Sequence, residues 1–418
     1  MKFSGLLCIL ILQAMLATAQ TLRSYVEKNY TIIRSLDVND TDYADLDAIG
    51  LAIGDKRVIM LGEQDHGDAP SFLAKTRLVK YLHEKKGFNV LAFESDFFSL
   101  TEGQREIMND TINLRKYLQG NIFPIWTYCD ACADLFYNYL PQSLISGKPI
   151  TVTGFDNQLH GAYSKGRLLP FLDSVLIAGQ FPHPRFAFLK KEVMGWTDSL
   201  MSNYGRIFAA KALYDAASYY FNELINVYTQ QHDSGYVYRL LHSLRGFNDA
   251  SAASKDYVMS YEFRDAQMAA NLNWLVNVKY KNEKIIVWAA SAHIMNRSKE
   301  IIGKNYFSSM GTEFMKQPSN AAQTYILGFA SRQGTAGRIT MPNGIYTVRT
   351  PGKESFEKWF SKTAYAFIDF TEYNKLHPDP SSFYMQGIDH SWNGKAAWTK
   401  GFDGIFYIRE MYPCKALQ

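Results

Sequence analysis

Short runs of β-branched and aromatic residues recur along the chain, and each closes on a group that can ionise. Arg57-Val58-Ile59-Met60-Leu61 leads into Gly62-Glu63, and Phe88-Asn89-Val90-Leu91-Ala92-Phe93 leads into Glu94. Pro149-Ile150-Thr151-Val152-Thr153 leads into Gly154-Phe155-Asp156, and Lys284-Ile285-Ile286-Val287-Trp288-Ala289-Ala290 into Ser291-Ala292-His293. None alternates apolar with polar, so each predicts a strand buried on both faces. Between the first two runs, Asp68 to Ser71 carries helix-start signals, Phe72, Val79 and Leu82 form an apolar stripe, and Gly87 is a stop. Strand, helix and strand over that distance make a βαβ unit, and the sheet is expected to be mostly parallel and flanked by helices.

Residues 324–328, 364–368 and 404–408 repeat the strand pattern more weakly. The stretch 184–281 reads differently: 214–228 and 265–278 carry helix-spaced apolar residues with almost no turn signals. The expected architecture is therefore α/β, with a core in two parts, 20–183 and 282–418, and a helical insertion over 184–281 between the third and fourth core strands. The glycines of Gly328-Phe329-Ala330-Ser331-Arg332-Gln333-Gly334 lack the G-K-[ST] of a phosphate loop and predict a tight turn beside the site.

The first residues change the picture of where the chain works. Lys2 is the only charge before an apolar run from Leu6 to Leu16, and Ala17-Thr18-Ala19 supplies the small residues that signal peptidase needs. A signal peptide over 1–19, export to the periplasm or medium, and no integral membrane segment after cleavage are the expectations. Cys129, Cys132 and Cys414 remain, for which one disulfide and one free thiol is the simplest outcome. The Cys129-Asp130-Ala131-Cys132 spacing favours a local structural bridge over redox catalysis. A formal charge of +4 on 418 residues, with no basic stripe, makes nucleic acid an unsuitable partner.

Glu63, Glu94, Asp156 and His293 thus stand at or beside the carboxyl ends of core strands, where an open parallel sheet binds its ligands. His66 joins them in Glu63-Gln64-Asp65-His66-Gly67. The flanking glycines put this E-x-x-H spacing on a loop, where a carboxylate can orient the imidazole and raise its basicity. An imidazole held so can take a proton from water. No G-x-S-x-G elbow occurs, which argues against a serine acyl-enzyme.

Five ordered motifs resemble the erythromycin esterase family: Leu61 to Gly67; Gly87-Phe88 leading to Ala92-Phe93-Glu94-Ser95-Asp96; Gly154-Phe155-Asp156; Arg264 to Asn271; and Val287 to His293. The resemblance implies an α/β core with helices over the cleft and hydrolysis of an ester or lactone without a serine nucleophile. It implies His66 as general base, with Glu63, Glu94 and His293 around it; hydrolysis without a metal or other cofactor is the leading expectation. Lys75 stands where the family usually has arginine; it, Arg77, Asp156 and Arg264 are the expected substrate-binding residues. Two other readings of the same cleft remain open. One is a metal-dependent hydrolase, since two histidines and three carboxylates would suit zinc, iron or manganese. The other is an exported protein that only binds a ligand.

Overall fold

Residues 58–61 become a central strand of a nine-stranded sheet. The computed structural model describes residues 22–417 apart from 107–110, 179–180, 182, 205, 208, 230–234, 342, 361–362 and 380–381. The expected signal segment lies outside the described residues.

The strands are β1 (Thr31–Ile33), β2 (Val58–Leu61), β3 (Phe88–Asp96), β4 (Thr151–Asp156), β5 (Lys284–Trp288), β6 (Thr324–Ala336), β7 (Tyr346–Thr347), β8 (Tyr365–Asp369) and β11 (Gly404–Met411), with β9 (Phe383–Met385) and β10 (Gly394–Ala396) forming a separate hairpin. The sheet order is β1-β8-β11-β6-β2-β5-β3-β4, with β7 on β6. From β11 to β4 every neighbour is parallel, while β8 and β1 close the other edge antiparallel. The four apolar runs therefore lie side by side, and Leu61, Trp288, Phe93 and Gly154 face one another in register.

The lack of alternation has a direct explanation. Ile59, Leu61, Leu91, Phe93, Ile286 and Trp288 pack into one apolar core with Phe72, Leu78 and Leu82 of helix α1 (Ala69–Lys86). Their neighbours Val58, Met60, Val90, Ala92, Ile285 and Val287 pack into another on the opposite face. Successive side chains on a strand point to opposite faces, so a sheet buried on both must be apolar throughout. Helix α1 ends at Gly87, whose φ of 75° is the left-handed conformation that a side chain would strain.

Between β4 and β5 the described residues form the α-helices α2 (Ala162–Ala178), α3 (Phe186–Asn203), α4 (Lys211–Thr229), α5 (Tyr236–Ala252) and α6 (Tyr257–Trp274). They enclose apolar residues of their own, among them Leu172, Val193, Phe221, Leu240 and Leu244. The side of α6 carrying Met268 and Leu272 joins the sheet core, which brings Arg264 and Asp265 to the strand ends.

Two sequence expectations are corrected here. Cys129 pairs with Cys414, 285 residues away, and not with Cys132, which is a buried free thiol. Proximity in sequence misled because residues 130–132 form a single helical turn, while the last residues of the chain pair with the segment around Cys129. The segment 328–334 is no tight turn: it continues β6, and its Gly334 (φ 111°) sits where a Cβ would strike the Met411 backbone on β11.

Candidate active site

Glu63 leaves β2 into a loop that the C-terminal third of the chain grips from several sides. Asp65 accepts from Arg338 Nε (2.5 Å) and Tyr346 Oη (2.6 Å), and Gln64 Nε2 donates to the Gln386 carbonyl (2.5 Å). Asp68, fully buried, accepts from His390 Nε2 (2.8 Å) and from the Asp65 backbone amide (3.0 Å). Ser331 Oγ holds the other ring nitrogen of His390 at 3.0 Å. Asp68 precedes α1, but its carboxylate caps nothing there; it is spent on His390. Burial alone would raise the pKa of Asp68 and lower that of His390; the imidazole shifts upward because Asp68 faces it. Gly67 is required because a Cβ would run into the Gly337 carbonyl. The disulfide end of the chain closes the grip, with Cys414 N donating to the Gly67 carbonyl at 2.8 Å.

On this loop His66 Nδ1 lies 3.2 Å from Glu63 Oε1. The second oxygen of Glu63 is bound by the Lys75 ammonium, which also donates to the Ala289 carbonyl (3.2 Å) and sits 4.6 Å above the Trp288 ring. Glu63 and Lys75 are wholly buried, whereas His66 keeps 16% of its side chain exposed. That difference decides the roles. With Nδ1 occupied by Glu63, Nε2 is the nitrogen left to meet a substrate or water. Trp126 stands edge-on to the imidazole at 5.4 Å.

Across the rim the other groups gather on Arg264. Its guanidinium donates to both oxygens of Asp156 (3.1 and 2.6 Å) and to Glu94 Oε1 (2.8 Å), and its Nη1 lies 3.1 Å from His293 Nε2. Glu94 Oε2 accepts from the Ala290 amide (3.0 Å), and His293 Nδ1 meets Asp265 Oδ1 (2.8 Å). Asp265 in turn accepts from the Met310 amide at 2.7 Å. A register shift in β3 between Phe93 and Asp96 places Glu94 and Ser95 at a bulge, and Gly154 opposite has no Cβ to strike the Ser95 and Asp96 carbonyls.

Burial would raise the pKa of Glu94, but the charges of His293, Arg264 and His66 hold it far below the usual carboxylate range. Burial would lower that of His293, yet Asp265 and Glu94 lift it above the ordinary histidine value. The ring is suited to both states. Charged, its Nε2–H faces Glu94 Oε1 at 3.4 Å; neutral, its lone pair accepts from Arg264.

The structure thus brings together Glu63, His66 and Lys75 on one side and Glu94, Asp156, Arg264 and His293 on the other, with His66 acting electrostatically on Glu94. Lys75 is buried beneath Glu63 and does not line the cleft. Arg77 is elsewhere altogether: it is bidentate on Asp45 (2.8 and 2.7 Å) and also meets the Ser35 and Asp42 carbonyls, on the far side of α1. Two residues on a helix turn a side chain through about 200°, so a helix presenting Lys75 to the rim must point Arg77 away. Sequence reasoning did not single out Trp126, His390, Arg338 or Tyr346, which lie in loops or very short elements with no periodic pattern, and it took Asp68 only as a helix start.

The sequence profile of the erythromycin esterase family matches residues 83–411. The chain belongs to the erythromycin esterase family. The Glu63–His66 loop precedes the matched stretch. A protein of Bacillus subtilis (strain 168) named as a hydrolase, YbfO, is 23% identical over 410 residues, covering 90% of this chain and 89% of its own. Solved structures share the fold at low identity. A Bacillus cereus protein aligns with a TM-score of 0.74 at 16% identity over 96% of this chain and 99% of its own. A succinoglycan biosynthesis protein gives 0.72 at 16% over 96% and 99%. A mutant of the erythromycin esterase EreC in its open conformation gives 0.69 at 15% over 93% and 100%. Family membership makes the chain a hydrolase acting on a small molecule. Among the described residues no helix is long and apolar enough to cross a membrane.

Proposed function

We propose that this family member is an exported enzyme that cleaves a carboxylic ester or lactone with a water molecule activated by His66, without a metal. The observation that carries the reading is the half-open His66 imidazole. Its Nδ1 is held by Glu63 and its Nε2 has no hydrogen-bond partner among the described residues, beside rim carboxylates already paired with Arg264. His66 Nε2 takes a proton from water as the oxygen attacks the ester carbonyl, and Glu63 steadies the imidazolium that forms. His293, held charged by Asp265 and Glu94, gives its Nε2 proton to the departing alkoxide and then accepts from Arg264 as a neutral ring; the His66 proton leaves to solvent and His293 regains one from it. Arg264 keeps Glu94 and Asp156 paired, which removes the donor set that a metal would otherwise find.

The test is a panel of simple esters and lactones with wild type and His66→Ala, run with and without a strong chelator. Turnover by wild type that persists in chelator and falls by about 10²–10⁴-fold in the variant is the expected result. Loss of wild-type turnover to the chelator would favour a metal enzyme. Ligand binding without turnover in either protein would leave a binding protein.

A further inference from the structure

A cavity of about 570 Å³ opens beside the rim, between the segment 119–124 and helices α2 and α3, and nothing in the hydrolytic reading uses it. Its walls are chiefly apolar, formed by Ile122, Phe123, Pro124 and Met201, with Tyr204 across the mouth and Lys165 and Asp198 exposed at the edge. The size is that of a small-molecule site.

The cavity is tied to the catalytic rim by a continuous aromatic wall. His66 meets Trp126 at 5.4 Å, Trp126 meets Phe123 at 6.2 Å, and Phe123 stacks on His160 at 3.7 Å with the rings 20° apart. Both stacked residues are fixed to the strand that carries Glu94: Phe123 N donates to Ser95 Oγ (3.1 Å), and the Asp96 amide donates to His160 Nε2 (3.4 Å). Burial lowers the pKa of His160, so the stacked ring presents a neutral flat face. Tyr204 adopts the left-handed φ of 48°, and burial, with Asp156 next in weight, pushes its phenol up to about 12. It remains a neutral donor beside the rim acids.

We infer that this cavity is the specificity subsite of the enzyme and takes the ring-bearing half of the ester, an aromatic or alicyclic group of one or two rings. The inference rests on the hydrolase reading. Flat apolar groups gain by stacking on the Phe123–His160 wall and by leaving water. An acyclic chain of similar polarity covers less of that wall. Polar substituents on the ring meet Lys165 and Asp198 at the exposed edge.

Butyl acetate, 2-(2-naphthyl)ethyl acetate and butyl 2-naphthylacetate place the ring on neither, one or the other side of an unactivated ester. The ratio of kcat/KM for the better naphthyl ester to that for butyl acetate reads the subsite directly. Wild type should prefer the ring by about tenfold. Phe123→Ala, which removes the wall, and Ser202→Trp, which fills the cavity from its exposed lip, should each bring the ratio to within about twofold of unity. An unchanged ratio in both variants would overturn the subsite. A fluorescence titration with 2-(2-naphthyl)ethanol separates this from the hydrolase reading, because it needs no turnover. Saturable binding that weakens about tenfold in Ser202→Trp supports the subsite even if no ester is cleaved, and equal binding by both proteins rejects it.

Discussion

The two sides of the rim are built from the same kinds of group and differ in how fully those groups are engaged. On the Arg264 side the charges are drawn tightly together: one buried guanidinium spans Asp156 and Glu94, and His293 is held at both nitrogens, with only Asp265 Oδ2 of these rim groups lacking a hydrogen-bond partner among the described residues. On the Glu63 side the carboxylate is equally buried and equally paired, yet its imidazole stands partly in solvent with one nitrogen unclaimed among the described residues. A cluster paired this closely holds position, and His293 is its one member that exchanges a proton. An imidazole fixed at one nitrogen has a direction in which to move a proton. The comparison assigns the chemistry to His66 and the electrostatic frame to Arg264.

Breaking each side should have a different signature. Replacing His66 by alanine should lower kcat/KM by about 10²–10⁴-fold while leaving the unfolding midpoint nearly unchanged, checked by steady-state kinetics and urea unfolding on one preparation. Arg264→Met should do the reverse in emphasis. It strands two buried carboxylates, and about 3–5 kcal/mol of stability should be lost in urea titrations, with activity falling alongside. A loss below about 1 kcal/mol would show that the cluster is not the frame described.

Glu63→Gln sharpens the distinction within the base side. The amide oxygen can still meet Nδ1, but the charge that steadies the imidazolium is gone, and kcat should drop by about 10–100-fold with little change in KM. The mildest effect concerns pH. The pKa of His293 is raised in the folded protein, so its stabilisation is complete below the unfolded value of about 6.5 and fades as pH rises through the folded value. Urea midpoints of wild type should decline over that alkaline window, and His293→Gln should flatten the decline. A steeper decline in the variant would reverse the assignment.

The strand ends were legible because a sheet covered on both faces needs unbroken apolar runs, and the first ionisable residue after each run stands out. This located Glu63, Glu94, Asp156 and His293 and the parallel order that unites them. Arg264 was legible through the motif from Arg264 to Asn271, but no local pattern says that it reaches strands 108 and 170 residues earlier. Lys75 was expected to touch substrate but lies beneath Glu63. An arginine or lysine there therefore bears on how the base is held, and the lysine gives no reason of its own to exclude any ester. The grip on the Glu63 loop by Arg338, Tyr346, Gln386, His390 and the Cys129–Cys414 end of the chain had no signal in the sequence. Such contacts are set by tertiary packing, not by periodicity.

The most direct test of the account is chemical rescue of His66→Gly. If His66 supplies the base, imidazole added to the folded variant should restore ester hydrolysis in proportion to its unprotonated fraction, and substituted imidazoles should rank by basicity. A folded variant that still binds substrate but stays inactive at every imidazole concentration would contradict the assignment of the base to His66.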